Sequence, residues 1–386
     1  MARDQALEAK LIDNPSDHAA YLVYADWLQS KGDPRGELIK LQHEGKADEA
    51  QSLLEEHEEA FLGPLVNYET SFDGFEEKAF DWSRGFIKKA TLSYDNNTAD
   101  DVEVDDGVEI ALETGLETLL THPSGALLEE LEIPINMLDD GGYFGPLVST
   151  LTKHGAPALR RLRIGKFSCC GGPGGEGDYE YEISWTGLGD ASGLWKALPR
   201  LEKLVIQSGM GGSSAQGEPD VLGTIEHANL KHFEVITGGL SLDCVKSIAN
   251  AKLPNLEKLI VWFGNDNYGA GGGVDDLQPL FEGKGFPKLK HLGLCNAEFS
   301  NDIARALAKA PIVNQLESVS LQYGTLDDDG ARALLNLPNL SKLKINIADN
   351  YVSEEVAEQL RAKCAGLDSS DQKTERGDDR YVSLSE

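Results

Sequence analysis

The sequence is poor in positive charge: 35 Lys and Arg face 65 Asp and Glu over 386 residues, a formal net charge of −30. Nucleic acids and anionic membranes are bound through a basic footprint. A chain this acidic offers one only locally, so neither is expected as a partner. Long apolar runs are missing too. No stretch approaches the roughly 18 apolar residues of a membrane span. The start, Met1-Ala2-Arg3-Asp4, leads into a charged helical pattern with no signal-peptide core. A soluble, cytoplasmic protein is expected. Cysteine is scarce: there are five, with Cys169 and Cys170 adjacent and no C-x-x-C pair. Such usage points to reduced thiols rather than a disulfide framework or a zinc site. Apolar content is not lacking. At 40% hydrophobic residues the chain is too apolar for a disordered acidic protein and should bury a substantial core.

From about residue 87 the segment L-x-x-L-x-L recurs, beginning at Ile87, Leu128, Leu159, Leu201, Leu230, Leu256, Leu289, Leu316 and Leu340. Amphipathic helical stretches lie between copies. Ser300-Asn301-Asp302 caps one over 303–310, which Pro311 stops, and Asp327-Asp328-Asp329-Gly330 opens another over 331–337, ended by Pro338-Asn339. Strand, loop, helix and proline turn make the unit of a leucine-rich repeat. The expected fold is therefore α/β: a leucine-rich-repeat solenoid of about nine strand-helix repeats with a parallel inner sheet and a small all-α N-terminal cap. Nine strands about 4.8 Å apart give a sheet roughly 38 Å long. A doubly wound α/β domain is the alternative, but its strands are usually apolar throughout, whereas charges interrupt these copies, as in Leu201-Glu202-Lys203-Leu204. The Asn that usually closes the strand motif stands at its place only as Asn136. Gly209, Gly238, Gly264 and Gly324 hold that place elsewhere.

Residues 1–62 carry helical patterns over 5–13, 18–31, 35–44 and 47–61. The runs Asn14-Pro15-Ser16-Asp17, Tyr21-Leu22-Val23-Tyr24-Ala25-Asp26-Trp27-Leu28, Gly32-Asp33-Pro34-Arg35-Gly36-Glu37 and Leu41-Gln42 resemble the short helical repeat-companion domain at the N-terminus of many bacterial repeat proteins. That resemblance implies no activity. A helical cap covering the open apolar flank of a first repeat explains the segment, with Trp27 packing and Asp26 capping or pairing with Arg35. Residues 63–86 read as a connector, 87–364 as the solenoid and 365–386 as a polar tail, mobile over 365–377. Its stretch 380–384 either docks as a last strand or stays free. The runs Glu182-Ile183-Ser184-Trp185, Trp262-Phe263-Gly264-Asn265-Asp266-Asn267-Tyr268-Gly269, Gly324-Thr325-Leu326-Asp327-Asp328-Asp329-Gly330-Ala331 and Arg380-Tyr381-Val382 resemble a bacterial leucine-rich-repeat family of unknown function over roughly 125–386. This second resemblance implies the fold and leaves function open.

Chemistry is thinly signalled. The glycine runs at 171–177, 209–212 and 269–273 lack the spacing and the lysine of a phosphate loop and read as flexible insertions on one rim. Asp266, Asp275 and Asp276, or Glu176 and Asp178, could gather a hard cation, but no EF-hand loop or nonapeptide calcium repeat occurs. Cys169 and Cys170 have only Lys166 as a basic neighbour, and no serine elbow or His-Glu-x-x-His motif is present. No catalytic residue, cofactor or metal site is expected.

The inner sheet says more. Places three, five and seven of each copy should face its concave side, because strand side chains alternate. Place three reads Lys89, Glu130, Arg161, Lys203, His232, Lys258, His291, Ser318 and Lys342. Places five and seven add Val205, Ile236, Ile260 and Trp262. A basic stripe beside exposed aliphatic and Trp side chains would suit an acidic-hydrophobic protein segment. The candidate partner-binding residues are thus Arg161, Lys203, Val205, His232, Ile236, Lys258, Ile260, Trp262 and His291, with Asp266 and Tyr268 on the rim. Two alternatives stand beside this reading. Place-two glutamates (Glu129, Glu202, Glu257, Glu317) could neutralise the lysines, or the insertions could fold over Trp262 and make it core. The functional expectation is a non-catalytic protein-interaction module. A small-ligand or ion sensor using the rim loops is the alternative, and an enzyme has the least support.

Overall fold

The apolar fourth and sixth places of the copies fall on one face of each strand, and Leu131, Ile133, Leu162, Ile164, Leu204, Ile206, Leu259, Val261, Leu292 and Leu294 are all buried there. Each such side chain contributes about 1.5–3 kcal/mol on leaving water. The structure, a computed structural model, describes residues 1–66, 79–95, 112–134, 136–138, 141–169, 180–212, 219–374 and 380–385.

Eleven strands form the main sheet in chain order: β1 (Phe80–Ser83), β2 (Phe86–Thr91), β3 (Glu130–Ile133), β4 (Arg161–Ile164), β5 (Lys203–Gln207), β6 (His232–Ile236), β7 (Lys258–Gly264), β8 (His291–Ala297), β9 (Ser318–Ser320), β10 (Lys344–Asn346) and β11 (Gly366–Asp368). β1 pairs antiparallel with β2, and all other neighbours are parallel. Five helices precede the sheet: α1 (Gln5–Asp13), α2 (His18–Ser30), α3 (Arg35–His43), α4 (Ala47–Glu56) and α5 (Glu58–Leu62). The crossovers carry α6 (Leu112–Thr121), α7 (Gly145–His154), α8 (Leu194–Ala197), α9 (Leu242–Ala249), α10 (Gln278–Glu282), α11 (Ser300–Leu307), α12 (Asp328–Leu334) and α13 (Glu354–Arg361). The fold is mixed α/β. Neighbouring crossover helices pack on one another along most of the row, and the main core fills the space between helix layer and sheet. Two smaller sheets of short strands lie beside it.

Several expectations are corrected. The tail supplies strand β11, so residues from 365 are not simply mobile. Residues 380–385 dock, but not as a strand. The connector 63–86 contains β1 and the first residue of β2. In the ninth copy the register slips by two: Ser318 pairs with Lys344, so Lys344 and not Lys342 continues the place-three row. The cause is local, for Asn339 takes a left-handed conformation and 340–342 form a 3₁₀ turn, which consumes two residues before the strand. The slip puts buried Asn350 at the motif-closing place. Its side-chain amide donates to the carbonyls of Leu321, Ile347 and Ala348, and its oxygen accepts from Leu326 N–H at 2.9 Å. An Asn thus stands at the motif-closing place at 350 as well as at 136 in the sequence.

Glycine at the same place has another cause. Gly264 has φ +82°, and a Cβ on it would land on the Gly238 carbonyl, while one on Gly239 would land on the Tyr268 carbonyl. Adjacent rim loops touch through bare backbone, so Gly209, Gly211, Gly269 and Gly271 sit in close-packed rather than open stretches of the runs at 209–212 and 269–273. The run at 171–177 lies outside the described residues.

At the cap, Arg35 is fully buried and pairs with Asp33 at 2.8 Å, not with Asp26. Asp26 is exposed and pairs with Lys40 at 2.9 Å. Arg35 also donates to the Ala2 carbonyl within the cap and to the Pro123 carbonyl in the turn before β3, tying the cap to the first crossover. Burial works to raise the Asp33 carboxyl, but hydrogen bonds and charge from Arg35 hold it below its ordinary value. Trp27 is half-buried and stacks on Tyr24, as its packing role required. Tyr21, Tyr24, Leu28 and Ile39 share a core with Phe86, Ala126 and Leu127.

Candidate functional site: the charged sheet face and its cover

The parallel register places Arg161, Lys203, His232, Lys258 and His291 side by side on five consecutive strands. Arg161 and Lys203 are exposed and the other three half-buried. The row is only partly neutralised. Arg161 pairs with Glu130 on β3, and His232 reaches Glu234 at 3.0 Å. Neither Lys203 nor Lys258 has a carboxylate within ion-pair distance among the described residues. The place-two residues do not neutralise them, because they form a ladder of their own. Lys88 pairs with Glu129 at 2.8 Å, Glu202 with both Arg160 and Lys231, and Lys290 with Glu317 at 3.7 Å.

Place five holds charges that the sequence reading passed over. Arg163, Val205, Glu234 and Ile260 are register neighbours. Burial tends to raise the Glu234 carboxyl, but the His232 hydrogen bond and the positive charges of Lys258 and Arg163 outweigh it and hold it below its ordinary value. Glu234 therefore stays charged and tempers the row from two residues along the same strand face. Farther toward the cap, Glu132 does the same between Lys89 and Lys166. Both glutamates stood in plain view at place five.

Exposure expected at Val205, Ile236 and Trp262 is not observed. They are 2%, 7% and 5% exposed. Ile236 and Trp262 form a small second core with Cys295, Phe167, Cys169, Ile183 and Leu384, against which Ile260 and Tyr323 pack. Phe167, Cys169 and Ile183 come from the insertion after β4, and Leu384 comes from the C-terminal segment. Two segments remote in sequence thus roof the place-seven row. Of the apolar residues proposed for binding, only Ile260 keeps appreciable exposure.

Both covers are held by buried amide side chains rising from the sheet. Gln207 donates to Phe167 O at 2.7 Å and accepts from its N–H at 3.4 Å. Asn296 donates to Leu384 O at 2.6 Å and accepts from its N–H at 2.9 Å. On the rim, Asp266 is exposed and its N–H donates to Glu298 at 3.3 Å, while Tyr268 is half-buried with its carbonyl over Gly211 and Gly239. Burial pushes the Glu298 carboxyl up, against the Asp266 N–H hydrogen bond that works to lower it. Among the described residues no group of three or more His, Cys, Asp or Glu side chains is placed to hold a metal ion. Glu176 and Asp178 lie outside those residues, as does Cys170. Cys169 and Cys295 are buried, and burial pushes the Cys295 thiol up to about 12, far from a reactive thiolate. A cavity of about 600 Å³ opens between the cap and β1, near Phe61 and Trp82 and distant from the basic row. No helix among the described residues is long and apolar enough to cross a membrane.

No family model and no curated protein matches this sequence. Among solved structures, a Bacteroides fragilis protein is similar over 70% of this chain and 73% of its own, with 26% identity and a TM-score of 0.55. A TLR13 complex with the single-stranded RNA ssRNA13 matches over 75% of this chain and 33% of its own, with 17% identity and a TM-score of 0.35. The first likeness shows a fold shared with that Bacteroides protein over most of both chains. The second is too distant in shape to argue from.

Proposed function

We propose that this chain is a leucine-rich-repeat solenoid with a helical N-terminal cap, working as a non-catalytic protein-interaction module. Its concave row from Arg161 to His291 receives an acidic segment of a protein partner. The observation that carries the reading is the pair Lys203 and Lys258, two strands apart in one register row and both without an ion-pair partner among the described residues. On a molecule of net charge −30, unneutralised cations on a sheet face select for a complementary partner and steer its approach, while the acidic remainder repels other anions. Ile260, beside Lys258, offers the nearest apolar contact, and Asp266 and Tyr268 border the row's far rim. The reading assigns no catalytic step and no cofactor.

The test is site-specific photo-cross-linking from position 203 in extract of the native host, with the adduct identified by mass spectrometry. The proposal expects one dominant protein adduct through an acidic stretch, lost in a Lys258→Glu background. Adducts to RNA, or protein adducts indifferent to Lys258→Glu, would overturn it.

A further inference from the structure

The C-terminal segment lies across the sheet rather than along it. From residue 380 to 385 it crosses the rim of successive repeats, from the last toward the middle. Arg380 pairs with Asp327, Tyr381 N–H donates to the Tyr351 hydroxyl at 3.0 Å, and Ser383 N–H donates to Tyr323 O at 3.0 Å. Leu384 then exchanges its two hydrogen bonds with Asn296, and the Ser385 carbonyl lies against Gly238. Two side chains go inward: Val382 is 4% and Leu384 1% exposed, whereas Tyr381 between the sheet's edge and solvent is 60% exposed.

This pattern is that of a bound peptide. Main-chain amides are read by groups fixed on the sheet, alternate apolar side chains enter pockets, and one cation meets one carboxylate. The receiving surface is built without the segment: Ile236, Trp262, Cys295 and Tyr323 come from four consecutive repeats and Ile183 from the insertion. Of the contacts the segment makes, the Asn296, Tyr323 and Tyr351 hydrogen bonds address its backbone, which any extended peptide has. Sequence preference comes from Val382, Leu384, Arg380 and Ser383, whose hydroxyl donates to Asp349 at 2.8 Å and accepts from Lys373 at 2.6 Å, while the Tyr381 ring packs edge-on against Tyr351.

We propose that the groove beside Trp262 is a binding site for an extended peptide of the pattern cation, any residue, aliphatic, small polar, leucine, and that residues 380–385 occupy it in cis. The inference rests on reading the concave side as the interaction face, and it gives the partner a second determinant. A partner segment with that pattern displaces the chain's own end and then lies alongside the basic row. The tethered segment competes at an effective concentration of about millimolar, so the groove is closed to weak or mismatched peptides.

The test uses the full chain. Val382→Ser with Leu384→Ser empties the pockets in cis, and a labelled peptide of residues 380–386 is then titrated in trans by fluorescence anisotropy. The expected result is saturable one-to-one binding to the double variant and at least about tenfold weaker binding to the wild type, through the cis competitor. Adding Asn296→Ala should weaken the peptide by about tenfold through loss of two hydrogen bonds. No binding to a folded double variant, or equal binding of a peptide carrying serine in place of its leucine, would overturn the proposal. Should the double variant not fold, hydrogen exchange of the wild type decides. A detachable segment exchanges the Ser383 and Leu384 amides far faster than those of Leu259 and Val261, whereas equal protection contradicts it. None of these readouts involves Lys203, so loss of the peptide site and loss of the basic-row reading are told apart by the cross-link from position 203.

Discussion

Gln207 on β5 grips Phe167 by both backbone groups, donating to its carbonyl at 2.7 Å and accepting from its N–H at 3.4 Å, in a site with no exposure at Gln207. The amide fixes where the insertion lands on the sheet. Gln207→Leu keeps the volume and removes both bonds, leaving buried backbone groups unpaired, and should lower stability by about 1–3 kcal/mol. Urea unfolding followed by far-ultraviolet circular dichroism measures this. An unchanged midpoint would show that the insertion is held by its apolar contacts alone.

Trp262 behaves as core, so its truncation should act on stability before it acts on binding. Trp262→Ala opens a cavity beneath Leu384 and should cost about 3–5 kcal/mol. A melting temperature near that of the wild type would mean that the cover leaves Trp262 in water.

Gly264 stands at φ +82° against the Gly238 carbonyl. Gly264→Ala must move two rim loops apart as well as adopt a strained backbone, and a loss of at least about 2 kcal/mol is expected. Gly273→Ala, in a position with open space around it, serves as the matched control and should change little.

His122 lies where cap meets sheet, its Nδ1 accepting from Ser124 N–H. Burial, then the positive charges of Arg35 and the N-terminus, push this imidazole down to about 4. The unfolded chain has a histidine near pKa 6.5. As pH falls from about 6.5 toward about 4 the unfolded state therefore takes up a proton that the folded state refuses, so stability drops across that window and levels off below it. His122→Gln should remove this component of the slope in urea midpoints taken from pH 7 to pH 4. A slope unchanged by the substitution would place the acid sensitivity elsewhere.

The place-three row could be read from the sequence from Lys89 to Ser318, because period-two alternation and the L-x-x-L-x-L frame fix both face and register. The frame failed once, at Leu340, where a left-handed Asn339 and a 3₁₀ turn shift the strand to Lys344 and hide Asn350. Spacing carries no trace of such a turn's length. The Arg35 partner was expected at Asp26 and is Asp33, which reaches it across a two-residue turn that no periodic pattern marks. The covering of Trp262 was open as an alternative, but the covering residues were not legible. Phe167 and Leu384 meet Trp262 across long stretches of chain, and neither composition nor periodicity encodes such contacts. Glu234 needed no structure, only attention to place five.

The central claim is that Lys203 and Lys258 hold an acidic partner segment. It is tested most directly by titrating the partner identified by cross-linking onto wild type and onto Lys203→Glu/Lys258→Glu, at ionic strengths from about 0.05 to about 0.5 M. The prediction is an affinity for the wild type that falls steeply with salt, and a variant that binds at least about tenfold more weakly with little salt dependence. Because Lys258→Glu also sets a second carboxylate near Glu234, a Lys203→Gln/Lys258→Gln protein that melts like the wild type should show the same loss. Equal affinities and parallel salt curves for the wild type and these variants would contradict the account.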